Sequence, residues 1–244
     1  MDFSPTLSDQ LNALIDKALQ EQNANRPVRD YLGASEIGKE CERRLAYSYH
    51  NYPREEFPGR ALRRFRLGHI HEDETVAWLN AAGFTIKHSQ AGFSLAGGRF
   101  KGHIDGIAAL GGPLGLPYPL LFEHKIMKAS IWRAYVKHGV RKEHPTYFGQ
   151  VQTYMRQFAL GHTLFMGLNS DTSELHAELV SYDTVYAEQQ IEKAARILAS
   201  KDPRELPRIS SVSTDFKCKW CPFAAPCWEP PKVVTHKPGW MMRR

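Results

Sequence analysis

The chain has 244 residues, 42% hydrophobic and 24% charged, which suits one sizeable core with an appended lobe and excludes a disordered or fibrous chain. It has no run of apolar residues long enough to span a bilayer and no basic-then-apolar leader at its start, so neither a membrane segment nor secretion is expected and the cytoplasm is the expected compartment. Lys plus Arg outnumber Asp plus Glu by 32 to 26, a net charge of +6 that is compatible with a phosphate-backbone partner but too mild to require one; the absence of a G-x-x-x-x-G-K-[ST] loop excludes a P-loop ATP motor.

Residues 4–22 place Leu7, Leu11, Leu14, Ile15 and Leu19 at helical spacing, with Ser4 as the expected cap and Pro5 at the first helical position. Residues 1–34 therefore read as a covering helix and its polar linker. Ser35 is the expected cap of a helix over 35–49 that contains Cys41, with Arg43 and Arg44 beside it, suited to phosphates, to sulfurs or to plain solvation. A helix over 60–82, ended by Gly83, opens on the Arg-rich RALRRFR and carries Gly68-His69-Ile70-His71-Glu72. Strands are expected over 84–88, 92–96 and 100–109, with a turn at Gly97 and Gly98.

The stretch from Gly102 onward holds two apolar runs joined by a Gly/Pro-rich segment. Asp105 closes the first run, and Glu123, His124 and Lys125 lie in the second. Strand side chains alternate, so Glu123 and Lys125 share a face and His124 takes the other. A carboxylate and an ammonium on an apolar strand are costly to bury unless the charges are used. An Asp and a Glu converging on a divalent cation, with a Lys alongside, is the arrangement of metal-assisted phosphodiester hydrolysis; a surface hairpin with an ordinary salt bridge fits the same residues. A helix over 127–138 follows. The next, over 145–160, has a buried stripe of Tyr147, Val151, Tyr154, Met155 and Phe158, and Gln150 and Tyr154 lie one turn apart on one face. Strands over 162–169 and 174–182 complete a sheet, and Asp183 caps a helix to residue 200.

Cys218, Cys221 and Cys227 have C-x2-C-x5-C spacing and, with Cys41, account for all four cysteines. Four thiols in an expected cytoplasmic chain, three of them clustered, point to a metal site rather than disulfides. Both zinc and an iron–sulfur cluster accept four thiolates, and the one-plus-three layout is unlike the two local pairs of a zinc ribbon. Either metal would clamp the N-terminal segment to the C-terminal one.

The pattern D-x17-E-x-K, followed by a Q-x-x-x-Y helix and flanked by one Cys before and three after, resembles the RecB-like branch of the PD-(D/E)xK nucleases. Within that branch it looks like the iron–sulfur members, the AddB nuclease domain and the CRISPR adaptation exonuclease. The resemblance covers residues 35–228, leaving 229–244 as a tail. The chain departs from the family pattern in having Ile104 where a Pro precedes the Asp, and in placing His71 three residues after Gly68 rather than four. The resemblance implies an α/β fold, a restriction-endonuclease-like core with a central mixed sheet flanked by helices and its two ends joined at the four-cysteine site. It implies a Mg²⁺- or Mn²⁺-dependent deoxyribonuclease, an exonuclease rather than an endonuclease, in DNA processing, recombination or repair. Asp105, Glu123 and Lys125 would be catalytic. Asp105 and Glu123 would hold the metal with His71 or Glu72, His69 standing third, and with the carbonyl of His124. Gln150 and Tyr154 would line the groove, and Cys41, Cys218, Cys221 and Cys227 would hold a 4Fe–4S cluster, zinc being the alternative. DNA is the implied partner, with a separate helicase or recombination protein as a further one. The competing class is a non-catalytic DNA-binding or assembly subunit that keeps the fold, with structural zinc.

Overall fold

The computed structural model describes residues 4–54, 56–87, 91–104, 106–108 and 111–229, with the side chains of 107 and 108 excepted. The first helix, α1 (Leu7–Ala24), starts from Thr6 rather than Ser4: the Thr6 hydroxyl accepts from the Asp9 amide at 3.1 Å while Asp9 accepts from the Thr6 amide at 3.0 Å, a capping box that Ser4 is too early to form. Its expected apolar stripe does not cover the domain. Leu7, Leu11, Leu14 and Ile15 are 74%, 50%, 67% and 47% exposed, and the helix docks by its polar side, through an Asp16–Arg63 ion pair and a hydrogen bond from Gln20 to the Phe57 carbonyl at 3.2 Å.

After β1 (Leu32–Gly33), the residues expected to continue as one helix from Ser35 form a 3-10 turn at Ala34–Glu36. The helix α2 (Glu42–Tyr49) begins only at Glu42, which leaves Cys41 at its N-cap position. The break has a steric cause. Gly38 lies so close to a later helix that a Cβ there would stand 2.4 Å from the Pro145 carbonyl oxygen, and the segment is packed there rather than coiled. Helix α3 (Gly59–Ala81) stops where Gly83 adopts φ +91°. Strands β2 (Ile86–Lys87), β3 (Gly92–Leu95), β4 (Phe100–His103) and β5 (Gly106–Ala108) follow. The single strand expected over 100–109 is thus divided between two sheets. β4 lies between β1 (parallel) and β3 (antiparallel), whereas β5 joins the larger sheet, the Ile104 amide being turned to the Ala91 carbonyl at 3.1 Å. Asp105, at this divide, is outside the described residues.

The larger sheet has the order β2-β5-β6-β7-β8 among the described residues, with β6 (Leu120–Met127) at its centre. Met127, expected in a helix, ends this strand, and α4 (Ala129–His138) begins two residues on. The crossover α4, α5 (Val140–Glu143) and α6 (Pro145–Phe158) lets β7 (His162–Asn169) run parallel to β6, in a register from Leu121↔Thr163 to Met127↔Asn169. β8 (Leu175–Ser181) returns antiparallel, and Asp183 caps α7 (Thr184–Ala199) by accepting from the Tyr186 amide at 3.0 Å. The two faces of the sheet bury different cores. Leu121 and Phe165 pack with Tyr135, Val151 and Met155, while Leu120, Phe122, Leu164 and Met166 pack with Val76 and Ile86. A 3-10 turn at Pro203–Glu205 leads to the short helices α8 (Phe216–Lys219) and α9 (Ala224–Trp228). The fold is mixed α/β with helices on both faces, as expected, though its strands divide into two sheets. No helix among the described residues is long and apolar enough to cross a membrane.

Candidate active site and cysteine cavity

Alternation along β6 turns Glu123 and Lys125 toward α6 and His124 toward α3. The Glu123 side chain is fully buried and forms an ion pair with Lys125, whose side chain is 22% exposed. On the same carboxylate oxygen, Oε1, Gln150 Nε2 donates at 2.9 Å. This contact depends on close approach: a Cβ on Gly149 would stand 2.5 Å from the Gly38 Cα, so two glycines let α6 lie directly on the turn before α2 and bring the next residue, Gln150, to the strand. The Lys125 ammonium also lies over the Tyr147 ring, 5.2 Å from its centroid. Tyr154, one turn beyond Gln150, is buried in the core rather than set in a groove. Its ring packs on Phe93 and beneath Gly102, where a Cβ would come within 2.6 Å of it, so it props the strand that leads to residue 105.

His124 is 3% exposed, and burial, with the charges of Lys125 and His71, holds its pKa down at about 4, so the ring is neutral at pH 7. Of the three candidates on α3, Glu72 and His69 line a cleft together with Lys125, while His71 acts on His124. The cleft, about 1670 Å³, opens at the C-terminal end of β6, the end at which open α/β sheets place their ligands. Arg26, Arg29, Arg54, Arg64, Lys125 and Lys128 line it against Glu36, Glu72 and Asp171. Such a field concentrates polyanions. Of the arginines in the stretch at 60–66 only Arg64 belongs to this lining, and Arg63 is engaged by Asp16. Arg26, Arg29 and Arg54 were not singled out from the sequence because they stand in irregular segments, without a periodicity to aim them.

Glu72 and Glu123 are hard oxygen donors on the two elements flanking the cleft, a chemistry suited to Mg²⁺ or Mn²⁺. Among the described residues no group of three or more His, Cys, Asp or Glu is arranged to hold a metal ion. The third carboxylate named from the sequence, Asp105, is outside them.

The four thiols come together from the two ends of the described chain. Cys41, Cys218, Cys221 and Cys227 all line one cavity of about 300 Å³, and none is in a disulfide. Burial pushes the thiols of Cys218 and Cys221 up, with the neighbouring thiols adding to the effect. Arg43 spans the segments: its Nε and Nη2 donate to the carbonyls of Leu206 and Arg204 at 2.7 and 2.9 Å, and its Nη1 stands 4.0 Å from Cys227 Sγ. Of the roles open to this arginine in the sequence, contact with sulfur is the one its geometry fits. The Tyr47 hydroxyl donates to the Pro226 carbonyl at 2.8 Å, and Lys217 pairs with Glu40. The soft donor set is of the kind that takes a thiolate-bound metal, although among the described residues no three of the thiols are gathered closely enough to hold a metal ion. This cavity and the cationic cleft adjoin. Phe223 walls both, and at the start of α6 Pro145 and Thr146 face one while His144 and Tyr147 face the other.

No protein-family model and no curated protein matches the chain. Among solved structures it is similar to an alkaline exonuclease from Laribacter hongkongensis, with TM-score 0.51 and 15% identity over 75% of this chain and 91% of that one. The complex of that enzyme with dAMP gives TM-score 0.51 and 16% identity over 77% and 91%. A third structure, SSO0001, has TM-score 0.48 and 15% identity over 92% and 98%. At these identities the likeness to the exonuclease is one of fold.

Proposed function

We propose that the chain is a divalent-metal-dependent deoxyribonuclease that removes nucleotides from DNA ends. The observation that carries this reading is the fully buried Glu123 carboxylate, held by Gln150 and by Lys125, the latter a residue that lines the cationic cleft. A salt bridge inside a sheet gains little for stability against its desolvation, so its retention at the mouth of a polyanion-sized cleft speaks for chemistry. Asp105 and Glu123 would hold Mg²⁺ or Mn²⁺, with Glu72 favoured over His71 because it lines the cleft, and with the His124 carbonyl. When bound, the metal supplies Lewis-acid polarisation of the phosphoryl group and a more acidic water. Lys125 positions the attacking water and counters the charge that grows on the phosphoryl oxygens. Gln150 keeps the Glu123 carboxylate aimed, and the arginines of the cleft hold the backbone in register. The exonuclease direction of the reading draws on the fold neighbour, named an alkaline exonuclease and also solved with dAMP. For the cysteines, the one-plus-three order of four thiols that line a common cavity suits a 4Fe–4S cluster better than the two local pairs of a zinc ribbon.

The test is incubation of the purified protein with end-labelled single- and double-stranded DNA, with and without Mn²⁺, beside Lys125→Ala. Mononucleotide release that requires metal and is lost in the variant is the expected result. A wild-type protein that binds DNA but leaves it intact under all these conditions would move the assignment to a binding subunit.

A further inference from the structure

We propose that Phe216 and Trp220 form a base-stacking platform for single-stranded nucleic acid, one that continues the path of a strand out of the cationic cleft. The inference rests on the nuclease reading of that cleft and adds a second contact surface to it.

Phe216 and Trp220 are 78% and 69% exposed, one turn apart at α8. The same lobe has an interior for aromatic and apolar groups. Phe223 and Cys218 are 2% and 7% exposed, and Tyr47 stacks on Phe223 at 5.6 Å. The two rings are outside a core that was within reach, and neighbouring exposed rings rimmed by charge mark a contact surface. The rim favours a polyanion. Lys219 Nζ lies 5.5 Å from the Trp220 ring centroid, and the adjoining cavity edge carries Arg44, Arg208 and Lys217 against Glu40. Position identifies the occupant more narrowly. The cavity at whose edge both rings stand shares the Phe223 wall and the first turn of α6 with the cleft that holds Lys125. A strand leaving the cleft along the first turn of α6 reaches exposed aromatic rings with cations beside them, the combination by which single strands are held without regard to sequence.

The experiment measures binding of labelled oligothymidylate and of a blunt duplex of equal length by fluorescence anisotropy, in EDTA so that nothing is cleaved, with the full chain. Phe216→Ala and Trp220→Ala are each expected to weaken oligothymidylate binding by about 5- to 150-fold, the range for loss of one stacked base, and to leave duplex affinity and melting temperature unchanged. Trp220→Tyr restores binding and Trp220→Leu, apolar but without a π face, does not. Wild-type affinity in both Ala variants overturns the platform, as does restoration by Leu equal to that by Tyr, which would mark a surface for an apolar protein partner. A wild-type chain that binds neither DNA brings down the nuclease reading together with the platform, whereas one that binds both, with Ala variants equal to it, brings down the platform alone.

Discussion

The side of the cleft that carries Glu72 and Lys125 is built from the long elements α3 and β6, with Arg26, Arg29 and Arg54 reaching it from irregular segments, while the neighbouring cysteine cavity is walled by helices of four and five residues and by chain from the other end of the sequence. Helices that short do not hold themselves. In the first region the chemistry-bearing side chains sit on a frame that stands without them. In the second, Arg43, Tyr47 and the four thiols are themselves much of the frame. Substitutions should accordingly change rate on one side of the first turn of α6 and folding on the other.

The largest effect is expected for Lys125→Ala and Asp105→Ala in end-labelled cleavage assays. Loss of a charge that stabilises the transition state lowers the rate by about 10²- to 10³-fold, whereas DNA affinity, supplied by the arginines of the cleft, should change little. Equal losses of affinity and rate would erase the distinction between frame and chemistry.

Next come Cys41→Ala and Cys227→Ala, which should behave alike. The proposed metal cross-link, closing so long a loop, would constrain the unfolded chain by about 5 kcal/mol, and its loss in a chain of this size should lower the melting temperature by roughly 10–20 °C. Bound iron, measured by elemental and acid-labile sulfide analysis, should fall in both. A stability loss in one variant only would show that the four thiols do not act as one unit.

Two changes probe the joint between the regions. Gln150→Ala removes the amide from a buried carboxylate and should cost about 1–3 kcal/mol in denaturant titration, together with a slower cleavage rate. It is expected to move both readouts, as Lys125→Ala should by removing an ion-pair partner of the buried Glu123 carboxylate, and unlike Cys227→Ala. Gly149→Ala places a methyl group against Gly38 and should cost about 1–3 kcal/mol, displacing Gln150 and slowing cleavage through position alone. The smallest effect belongs to α1. Leu14→Glu, at a site 67% exposed, should leave stability within about 0.5 kcal/mol of wild type. A larger loss, measured in the same titration, would mean that the outward stripe is covered in solution.

Local composition and periodicity determined a good deal. The apolar runs around Glu123 and at 162–169 read as strands, although a surface hairpin fits the first equally well. Alternation alone set Glu123 and Lys125 on one face and His124 on the other, and helical spacing placed Gln150 and Tyr154 on one side of α6. Those inferences needed nothing beyond one element's own geometry. Which partner each face meets was decided in three dimensions. α1 and α6 both read as amphipathic helices, yet α6 buries Phe148 through Met155 while α1, docked on α3 through the Asp16–Arg63 pair, has no buried residue and keeps its leucines outward. Tyr154 shares a face with Gln150 but ends in the core, since its longer side chain passes the strand and reaches Phe93 and Gly102. The split of the strand over 100–109 between two sheets, the gathering of Arg26, Arg29 and Arg54 at the cleft, and the joining of Cys41 to a segment near the other end of the chain depend likewise on contacts between residues far apart in sequence. No pattern along the chain encodes such contacts, because their energy exists only once both surfaces are folded and brought together.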